Sequence, residues 1–196
     1  MAEIFPGEKE QNALRIIQDA LQNFPESDGQ ADSENTAPIG PSCLILFTDG
    51  GAHGNPGPGA WAALLQDAQN QVITEASGSS YDTTNNRMEL QAVIEGLKAA
   101  LAYFEERQIK KREVSLFSDS QIVVKGITQW LAAWKQKNWK KADGQPVANM
   151  ALWQEIDTLA TQIKVHAAWV RGHNGQPQNE YCDKLVQKAI AELEGK

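Results

Sequence analysis

The chain has 196 residues, of which 41% are hydrophobic and 22% are charged, so it can bury the core of one domain and is not a wholly disordered polypeptide. Its formal net charge of −7 at pH 7 at first disfavours a nucleic-acid partner. Because no apolar run approaches the roughly 20 residues of a membrane-spanning helix and the acidic start lacks the basic region of a secretory signal, we expect a soluble cytoplasmic protein without a membrane partner.

The first 42 residues differ from the rest of the chain in composition and charge. Residues 11–24 have the spacing of an amphipathic helix, which Pro25 ends, and residues 26–42 are polar and rich in Pro, Gly and Ser. The segment holds two basic and eight acidic residues, so it carries −6 of the net charge and leaves −1 for residues 43–196. We therefore predict an acidic N-terminal extension, made of a helix with an unknown partner and a flexible linker, followed by one folded domain.

The folded domain alternates between strand and helix patterns. Short apolar or alternating runs predict strands at 43–47, 60–66, 71–77, 113–118 and 163–170, with a Gly/Pro-rich turn at 50–59. Helical spacing of apolar residues predicts helices at 86–104, 120–128, 130–139, 149–161 and 179–194. Three strands followed by alternating helices and strands predict an α/β fold, in which helices cover a mixed sheet with some parallel strands.

Four acidic residues stand at the ends of predicted elements. Asp49 and Asp119 follow the first and fourth strands, and Glu89 and Asp183 fall in the first turns of the first and last long helices. If the fold brings them within about 5 Å, each pair repels by roughly 3 kcal/mol at an effective dielectric constant near 20. Such a cluster requires bound cations or raised pKa values, and ligands that are all oxygen favour Mg²⁺ or Mn²⁺ over zinc.

Each of these carboxylates also has a purely structural interpretation. Glu89 can close a capping box at the start of its helix, and the helix dipole favours Asp183 in a first turn. Asp49 precedes two glycines and can form a turn, and Asp119 can cap the helix that follows it. The physical chemistry of the residues alone leaves both interpretations open at each position.

Four sequence motifs favour the metal-binding interpretation of these carboxylates over the structural one. Together the motifs resemble type 1 ribonuclease H over residues about 43–194, in order and without a missing segment. The motifs are TDGG at 48–51 with GNPGPGAW at 54–61, TTNNRMEL at 83–90, SDSQ at 118–121, and WVRGH at 169–173 with NEYCD at 179–183. The sequence GITQW at 126–130, with Trp134, is similar to the substrate-binding protrusion of the bacterial enzymes. The resemblance is therefore to a bacterial-type ribonuclease H.

The resemblance implies a ribonuclease H-like fold, in which a five-stranded mixed sheet with three antiparallel first strands is flanked by helices. It implies an endonuclease that hydrolyses the RNA strand of RNA–DNA hybrids with two Mg²⁺ ions, or Mn²⁺ as a substitute, and leaves 5′-phosphate and 3′-hydroxyl ends. Asp49, Glu89, Asp119 and Asp183 would then be the metal ligands. His173 would assist proton transfer or product release from a glycine-containing loop, whereas the other two histidines have no such support.

The resemblance also implies how the hybrid is bound. Amide side chains that both donate and accept hydrogen bonds would contact the minor groove, and the backbone of the paired glycines would approach the RNA. Asn55 has an equally good interpretation as a turn residue. The implied substrate-binding residues are Gly50, Gly51, Asn55, Thr84, Asn85, Asn86, Gln121, Trp130, Trp134, Lys135, Lys137, Trp139, Lys140 and Asn149.

One position departs from the family pattern. The family commonly anchors a DNA phosphate with a threonine and an asparagine, which match Thr84 and Asn149, and with a nearby basic residue. In this chain Asp82 stands two positions before Thr84, and its negative charge is unsuited to binding a phosphate. We therefore expect weaker binding of the hybrid, unless Lys140 and Lys141 compensate.

Residues 120–142 form a local basic segment within the acidic chain, with five lysines and no acidic residue. Its lysines can neutralise DNA phosphates, and an exposed indole can pack against a sugar. Alternatively, Trp130 and Trp134 lie one helical turn apart in the core and the lysines cover a solvated face. We expect both, with Trp130 packed inward and Trp134 or Trp139 partly exposed.

Other functions fit the residues less well. A non-catalytic hybrid-binding module of the same fold would lack at least one of the four carboxylates, and all are present. Proofreading exonucleases of this fold class open with Asp-x-Glu, whereas Asp49 is followed by two glycines. Cys43 and Cys182 match no zinc or disulfide pattern and lie in apolar runs, so we expect buried thiols in a reduced protein. We also expect the protein to be a monomer.

Overall fold

The computed structural model describes residues 43–172 and 176–195. The predicted extension over residues 1–42 lies outside these ranges, so the extension, its helix and the partner of that helix stay predictions. Within the described ranges, no helix is long and apolar enough to cross a membrane.

Five strands form one mixed sheet: β1 (Cys43–Ala52), β2 (Gly57–Gln66), β3 (Val72–Thr83), β4 (Glu113–Ser118) and β5 (Lys164–Trp169). Their order across the sheet is β3-β2-β1-β4-β5. The first three strands pair antiparallel, whereas β1 with β4 and β4 with β5 pair parallel. The predicted α/β fold with a five-stranded mixed sheet is confirmed.

The helices are α1 (Asn85–Glu106), α2 (Gln121–Lys125), α3 (Leu131–Gln136), α4 (Met150–Ala160) and α5 (Pro177–Glu194), with a π-helical turn at Gly126–Trp130 between α2 and α3. Alternate residues of β1 belong to two separate cores, as the strand period requires. Leu44 and Leu46 pack in the core that contains α1 and α4, and Ile45 and Phe47 pack in the core that contains α5. Helices therefore cover both faces of the sheet.

The first long helix forms where the periodicity predicts it. The Thr84 hydroxyl caps its start by accepting from the Arg87 backbone N–H at 3.3 Å. The residues at helical spacing, Leu90, Ile94 and Leu97, are fully buried.

The predicted turn at 50–59 is wrong at both ends, because β1 and β2 continue into it. Gly50 pairs with Trp61 and Ala52 pairs with Gly59 in an unbroken antiparallel ladder. A Cβ atom on Gly59 would lie 2.5 Å from Thr83 Cγ2, so this close packing of strands needs glycine. The glycines mark close packing within the sheet, and only residues 53–56 lie outside it.

The two helices predicted at 120–128 and 130–139 form one nearly continuous element that ends at Gln136. A π-helical turn joins its parts where Gly126 lies against the buried ring of Trp153, and a Cβ atom there would be 2.0 Å from Trp153 Cη2. Asn138 and Trp139 then adopt left-handed backbone angles, with φ of 50° and 59°, which end the helix before the predicted boundary.

Candidate active site

Asp49 lies inside β1 and not at its end. It pairs with Ala62 of β2, three residues before the strand ends at Ala52, and it is 9% exposed. The interpretation of Asp49 as a turn residue is therefore wrong. The sheet instead holds the backbone of this carboxylate rigidly.

Glu89 approaches Asp49 because α1 lies directly on β1. The helix begins at Asn85, so Glu89 is its fifth residue and cannot close a capping box, which corrects both that interpretation and the expected first-turn position. A Cβ atom on Gly50 would lie 2.3 Å from the backbone nitrogen of Glu89 and 2.4 Å from the carbonyl carbon of Met88. The missing side chain at position 50 is what permits this close approach.

Asp119 follows β4 directly, as predicted, but it does not cap α2. The Ser120 hydroxyl caps that helix by accepting from the Val123 backbone N–H at 3.4 Å. The Asp119 carbonyl accepts from the Trp169 indole N–H at 2.9 Å, and its carboxylate Oδ2 accepts from the Asn179 side-chain amide at 3.4 Å. Groups from β5 and α5 therefore hold Asp119 in place.

These three carboxylates form one cluster. Asp49, Glu89 and Asp119 each offer an oxygen atom, and all three atoms lie within 4.8 Å of one another. The Oε2 atom of Glu89 is buried and has no hydrogen-bond partner among the described residues. Burial, and then the charges of Asp49 and Asp119, raise the pKa of Glu89 well above its ordinary value. Clustered hard oxygen donors with an unpaired buried atom fit a divalent cation such as Mg²⁺.

The raised pKa of Glu89 predicts how stability depends on pH when divalent cations are removed. The folded-state pKa of Glu89 lies above the unfolded value of 4.5, so the folded state holds the Glu89 proton more tightly than the unfolded state does. The stability that this proton contributes is therefore fully present below pH 4.5 and is lost as pH rises through the folded pKa. We expect the free energy of unfolding in EDTA to fall by up to about 1.4 kcal/mol per pH unit across this window. Glu89→Gln should remove this slope in urea denaturation, and an unchanged slope would contradict the prediction.

Asp183 does not belong to the three-carboxylate cluster. It is the seventh residue of α5, which begins at Pro177, so both the predicted first-turn position and the helix-dipole interpretation are wrong. Its Oδ1 atom accepts a long contact of 3.5 Å from the exposed amide of Gln187. The structure thus brings together three of the four predicted ligands, and the role of Asp183 stays a prediction.

The three histidines differ in what the structure shows of them. His173 lies outside the described residues. His53 is exposed, and its Nδ1 atom is 3.1 Å from the carboxylate of Glu194. His166 lies on β5, where burial and then the charge of Lys164 lower its pKa.

The predicted amide contacts lie on the surface. Asn55, Asn86 and Gln121 are exposed. Asn85 is also exposed, but its Oδ1 atom accepts from the Ala52 backbone N–H at 2.6 Å and so ties α1 to the end of β1. Its amide hydrogens, and not this oxygen, are what it can offer to a ligand.

The three tryptophans of the basic segment are all partly exposed. Trp134 and Trp139 pack against the core that contains α1 and α4. The ring centroid of Trp134 lies 5.3 Å from that of buried Trp153 and 5.6 Å from that of Trp130. The expectation that Trp130 packs inward is therefore wrong, because Trp130 contacts Trp134 and is not among the side chains packed against this core. The expected partial exposure of Trp134 and Trp139 is confirmed.

The exposed lysines of the same segment are not equivalent. Lys135 is 3.0 Å from the half-buried carboxylate of Asp157, and Lys141 is 3.3 Å from Asp143. Lys137 and Lys140 form no ion pair with any residue that the structure describes. Asn149, the predicted phosphate contact, stands at the start of α4 with a left-handed φ of 55° and does not cap the helix with its side chain.

Sequence reasoning missed one residue of the site, Asn179. Its side chain is 2% exposed and donates to Asp119, although the two residues are 60 positions apart. The available signal was its place as the first residue of the NEYCD motif, four positions before Asp183.

The chain is similar to known proteins of one family. The family model described as RNase H matches residues 41–191. The ribonuclease H of Hydrogenovibrio crunogenus is 51% identical over 150 residues, which cover 76% of this chain and 97% of that protein. The ribonuclease H of Francisella philomiragia is 46% identical over 153 residues, which cover 78% of this chain and 94% of that protein.

Solved structures show the same fold. The crystal structure of LC9-RNase H1, a type 1 RNase H with the type 2 active-site motif, matches with a TM-score of 0.66 at 32% identity and covers 80% of this chain and 75% of that one. LC11-RNase H1, solved in complex with an RNA/DNA hybrid, matches with a TM-score of 0.60 at 23% identity and covers 76% of this chain and 98% of that one.

Proposed function

This chain belongs to the ribonuclease H family, and we propose that it is an endonuclease that hydrolyses the RNA strand of RNA–DNA hybrids. A match to the fold alone would leave the activity open, since one fold hosts several functions. The observation that carries the proposal is the cluster of Asp49, Glu89 and Asp119, whose oxygen atoms lie within 4.8 Å of one another. Relatives that are about half identical over most of their length and are named ribonuclease H support the same activity.

The proposed cofactor is Mg²⁺, with two ions in the hybrid complex and Mn²⁺ as a substitute. Asp49, Glu89 and Asp119 would hold it, together with Asp183 from α5. Bound Mg²⁺ supplies an activated water for attack on the phosphodiester and charge neutralisation at the leaving 3′ oxygen, which leaves 5′-phosphate and 3′-hydroxyl ends. The chain contributes the rigid backbone at Asp49, the buried carboxylate of Glu89 and the fixed position of Asp119. His173 remains our candidate for proton transfer or product release, on the resemblance of its motif.

The proposed partner is the hybrid duplex, held on the surface that carries the exposed amides and the basic segment. Asn55, Asn86 and Gln121 offer both donors and acceptors, which suits 2′-hydroxyl groups and base edges in a minor groove. The charges of Lys137 and Lys140 are available for phosphates, because no ion pair within the described chain occupies them. We propose the remaining members of the predicted substrate-binding set as further contacts of the hybrid.

The unequal lysines give a matched pair of variants. Lys137→Ala should raise the KM for the hybrid about threefold at low salt. It should also make KM less dependent on salt concentration, by the amount expected for the loss of about one phosphate contact. Lys135→Ala should change KM less, because the Lys135 ammonium is paired with Asp157 and holds the protrusion against α4. Steady-state kinetics across a salt series measures both, and equal effects on KM would refute this division of roles.

Asp82 gives a second test of hybrid binding. It is exposed on β3, two residues before the Thr84 cap of α1. Asp82→Arg should lower the KM for the hybrid at low salt, and the gain should fade at high salt because surface charges are screened. Asp82→Asn, which only removes the charge, should give an intermediate KM. An unchanged KM for Asp82→Arg at low salt would overturn the expected conflict with a DNA phosphate.

We also propose that the enzyme works as a cytoplasmic monomer. Its two cysteines are free and buried, with Cys43 Sγ 3.4 Å from Ser115 Oγ and Cys182 Sγ 3.7 Å from the Phe47 carbonyl oxygen. Burial raises the pKa of both thiols, which keeps them protonated and unreactive. Such unpaired thiols are typical of reducing compartments. Size-exclusion chromatography with light scattering tests the monomer.

The experiment that tests the function is cleavage of an end-labelled RNA–DNA hybrid. We expect internal cuts in the RNA strand in the presence of Mg²⁺, and none after addition of EDTA. RNA duplex and DNA duplex of the same sequence should remain intact. Tight binding of the hybrid without cleavage would instead indicate a binding module, and the metal assignment would then fail.

A further inference from the structure

The further inference concerns Asn179, and it rests on the proposed function. Asn179 is the third residue of α5, and its side chain is 2% exposed. A side-chain amide is rarely buried unless its hydrogen bonds are needed. Its Nδ2 atom donates to Oδ2 of Asp119 at 3.4 Å, whereas its Oδ1 atom is buried with no partner among the described residues.

Asp119 depends on neighbours for its position more than Asp49 does. Asp49 lies inside the ladder that β1 forms with β2, where it pairs with Ala62, but Asp119 has already left β4 and is not fixed by a helix cap. The Trp169 indole holds its carbonyl, and a Cβ atom on Gly172 would lie 2.5 Å from its Oδ2. The Asn179 amide therefore donates to Oδ2 in a confined space.

The placement of Asn179 on α5 adds a second link. Asp183 follows Asn179 by four positions, so the two lie on the same face of the helix, one turn apart. One face of α5 thus carries both an amide that contacts the cluster and the fourth predicted ligand. The Oδ1 atom of Asn179, which has no partner in the part of the chain that the structure describes, is an acceptor in the same buried region, where a cation-bound water has hydrogens to donate.

We propose that Asn179 is a positioning residue for the catalytic cation. Its Nδ2 atom orients the Asp119 carboxylate, and its Oδ1 atom accepts a hydrogen bond from a water bound to the cation. It acts through Asp119 and through this water, and it does not contact the phosphodiester. A purely structural amide would affect packing and stability alone, and a side chain of similar size would then replace it without loss.

The test uses Asn179→Leu, which keeps a similar volume, and Asn179→Ala, which does not. Binding of Mn²⁺ is measured by calorimetry without substrate, and kcat and KM are measured with the hybrid in Mg²⁺. We expect both variants to weaken metal binding about tenfold and to lower kcat by about 10–100-fold, since outer-shell partners have effects of this size. The KM for the hybrid should stay unchanged, because Asn179 does not contact it.

The matched control is Gln91→Leu. Gln91 is also an amide that donates to a carboxylate, but its partner is Glu95 of α1, at 2.9 Å, which is not part of the cluster. We expect its metal affinity and kcat to stay within about twofold of wild type. Thermal melting in EDTA separates packing from positioning, because a positioning role leaves the melting temperature of Asn179→Leu close to that of the wild type.

The outcomes separate this inference from the proposed function. If the wild type does not cleave the hybrid, the proposed function fails. If the wild type cleaves it and Asn179→Leu binds Mn²⁺ as tightly as the wild type, only the role of Asn179 is overturned. Should one of the two variants unfold, the other carries the same test at the same position.

Discussion

Asp49→Asn is expected to lower the rate of hybrid cleavage by about 10³-fold or more, because it removes several kcal/mol of charge stabilisation from the reaction. The amide keeps the shape of the carboxylate, and β1 keeps its backbone pairs with β2, so the fold should not change. The measurement is single-turnover cleavage of the labelled hybrid at saturating Mg²⁺. A variant within tenfold of the wild type would show that Asp49 is not a ligand.

The same substitution should stabilise the metal-free protein. It removes the repulsion between Asp49 and the carboxylates of Glu89 and Asp119, which share a cluster with it. We expect the free energy of unfolding in EDTA to rise by roughly 1–3 kcal/mol, the size of one repulsion within a partly buried group. Glu192→Gln, at an exposed acidic position on α5, serves as the control and should change neither stability nor rate.

Gly50→Ala is expected to destabilise the fold strongly. The new Cβ atom would lie 2.3 Å from the Glu89 backbone nitrogen, and a backbone atom cannot rotate away as a side chain can. The helix α1 must then move from β1, at a cost of at least about 3 kcal/mol. Because α1 carries Glu89, the displacement should also abolish cleavage.

The neighbouring glycine supplies the control. A Cβ atom on Gly51 would meet only Val186 Cγ1 at 3.3 Å, which a small side-chain adjustment relieves. Gly51→Ala should therefore lose about 1 kcal/mol or less. Chemical denaturation of both variants measures the difference. Equal stabilities would mean that α1 does not rest on Gly50 as described.

The fold could be predicted from the sequence where local patterns and long-range packing agree. The spacing of Leu90, Ile94 and Leu97 gave α1 almost to its ends, since the buried stripe itself drives the helix. The extension of β1 through Ala52 was missed, because ladder bonds form between backbone atoms and require no side-chain pattern. The π-helical turn was missed for a similar reason, since it depends on the ring of Trp153 from a distant helix.

The site was less accessible to residue-level reasoning than the fold. The four carboxylates looked equally suited to caps and turns, and only the motif resemblance favoured a shared site. The structure excludes those local roles by placing Asp49 within a strand and by giving the caps to Thr84 and Ser120. The contacts of Asn179 with Asp119 and of Lys135 with Asp157 join residues far apart in sequence, which no local pattern reveals.

The parallel pairing of β1 with β4 has a consequence for folding and synthesis. Thr48 pairs with Ser118, 70 residues later, so Asp49 and Asp119 become neighbours only after this non-local ladder has formed. Pairings of this kind close late, because a long loop must first lose its entropy. A nascent chain that has not yet exposed β4 to its partner strand therefore has no carboxylate cluster. The carboxylate cluster is thus a product of the complete topology, and the proposed metal site forms only together with the folded domain.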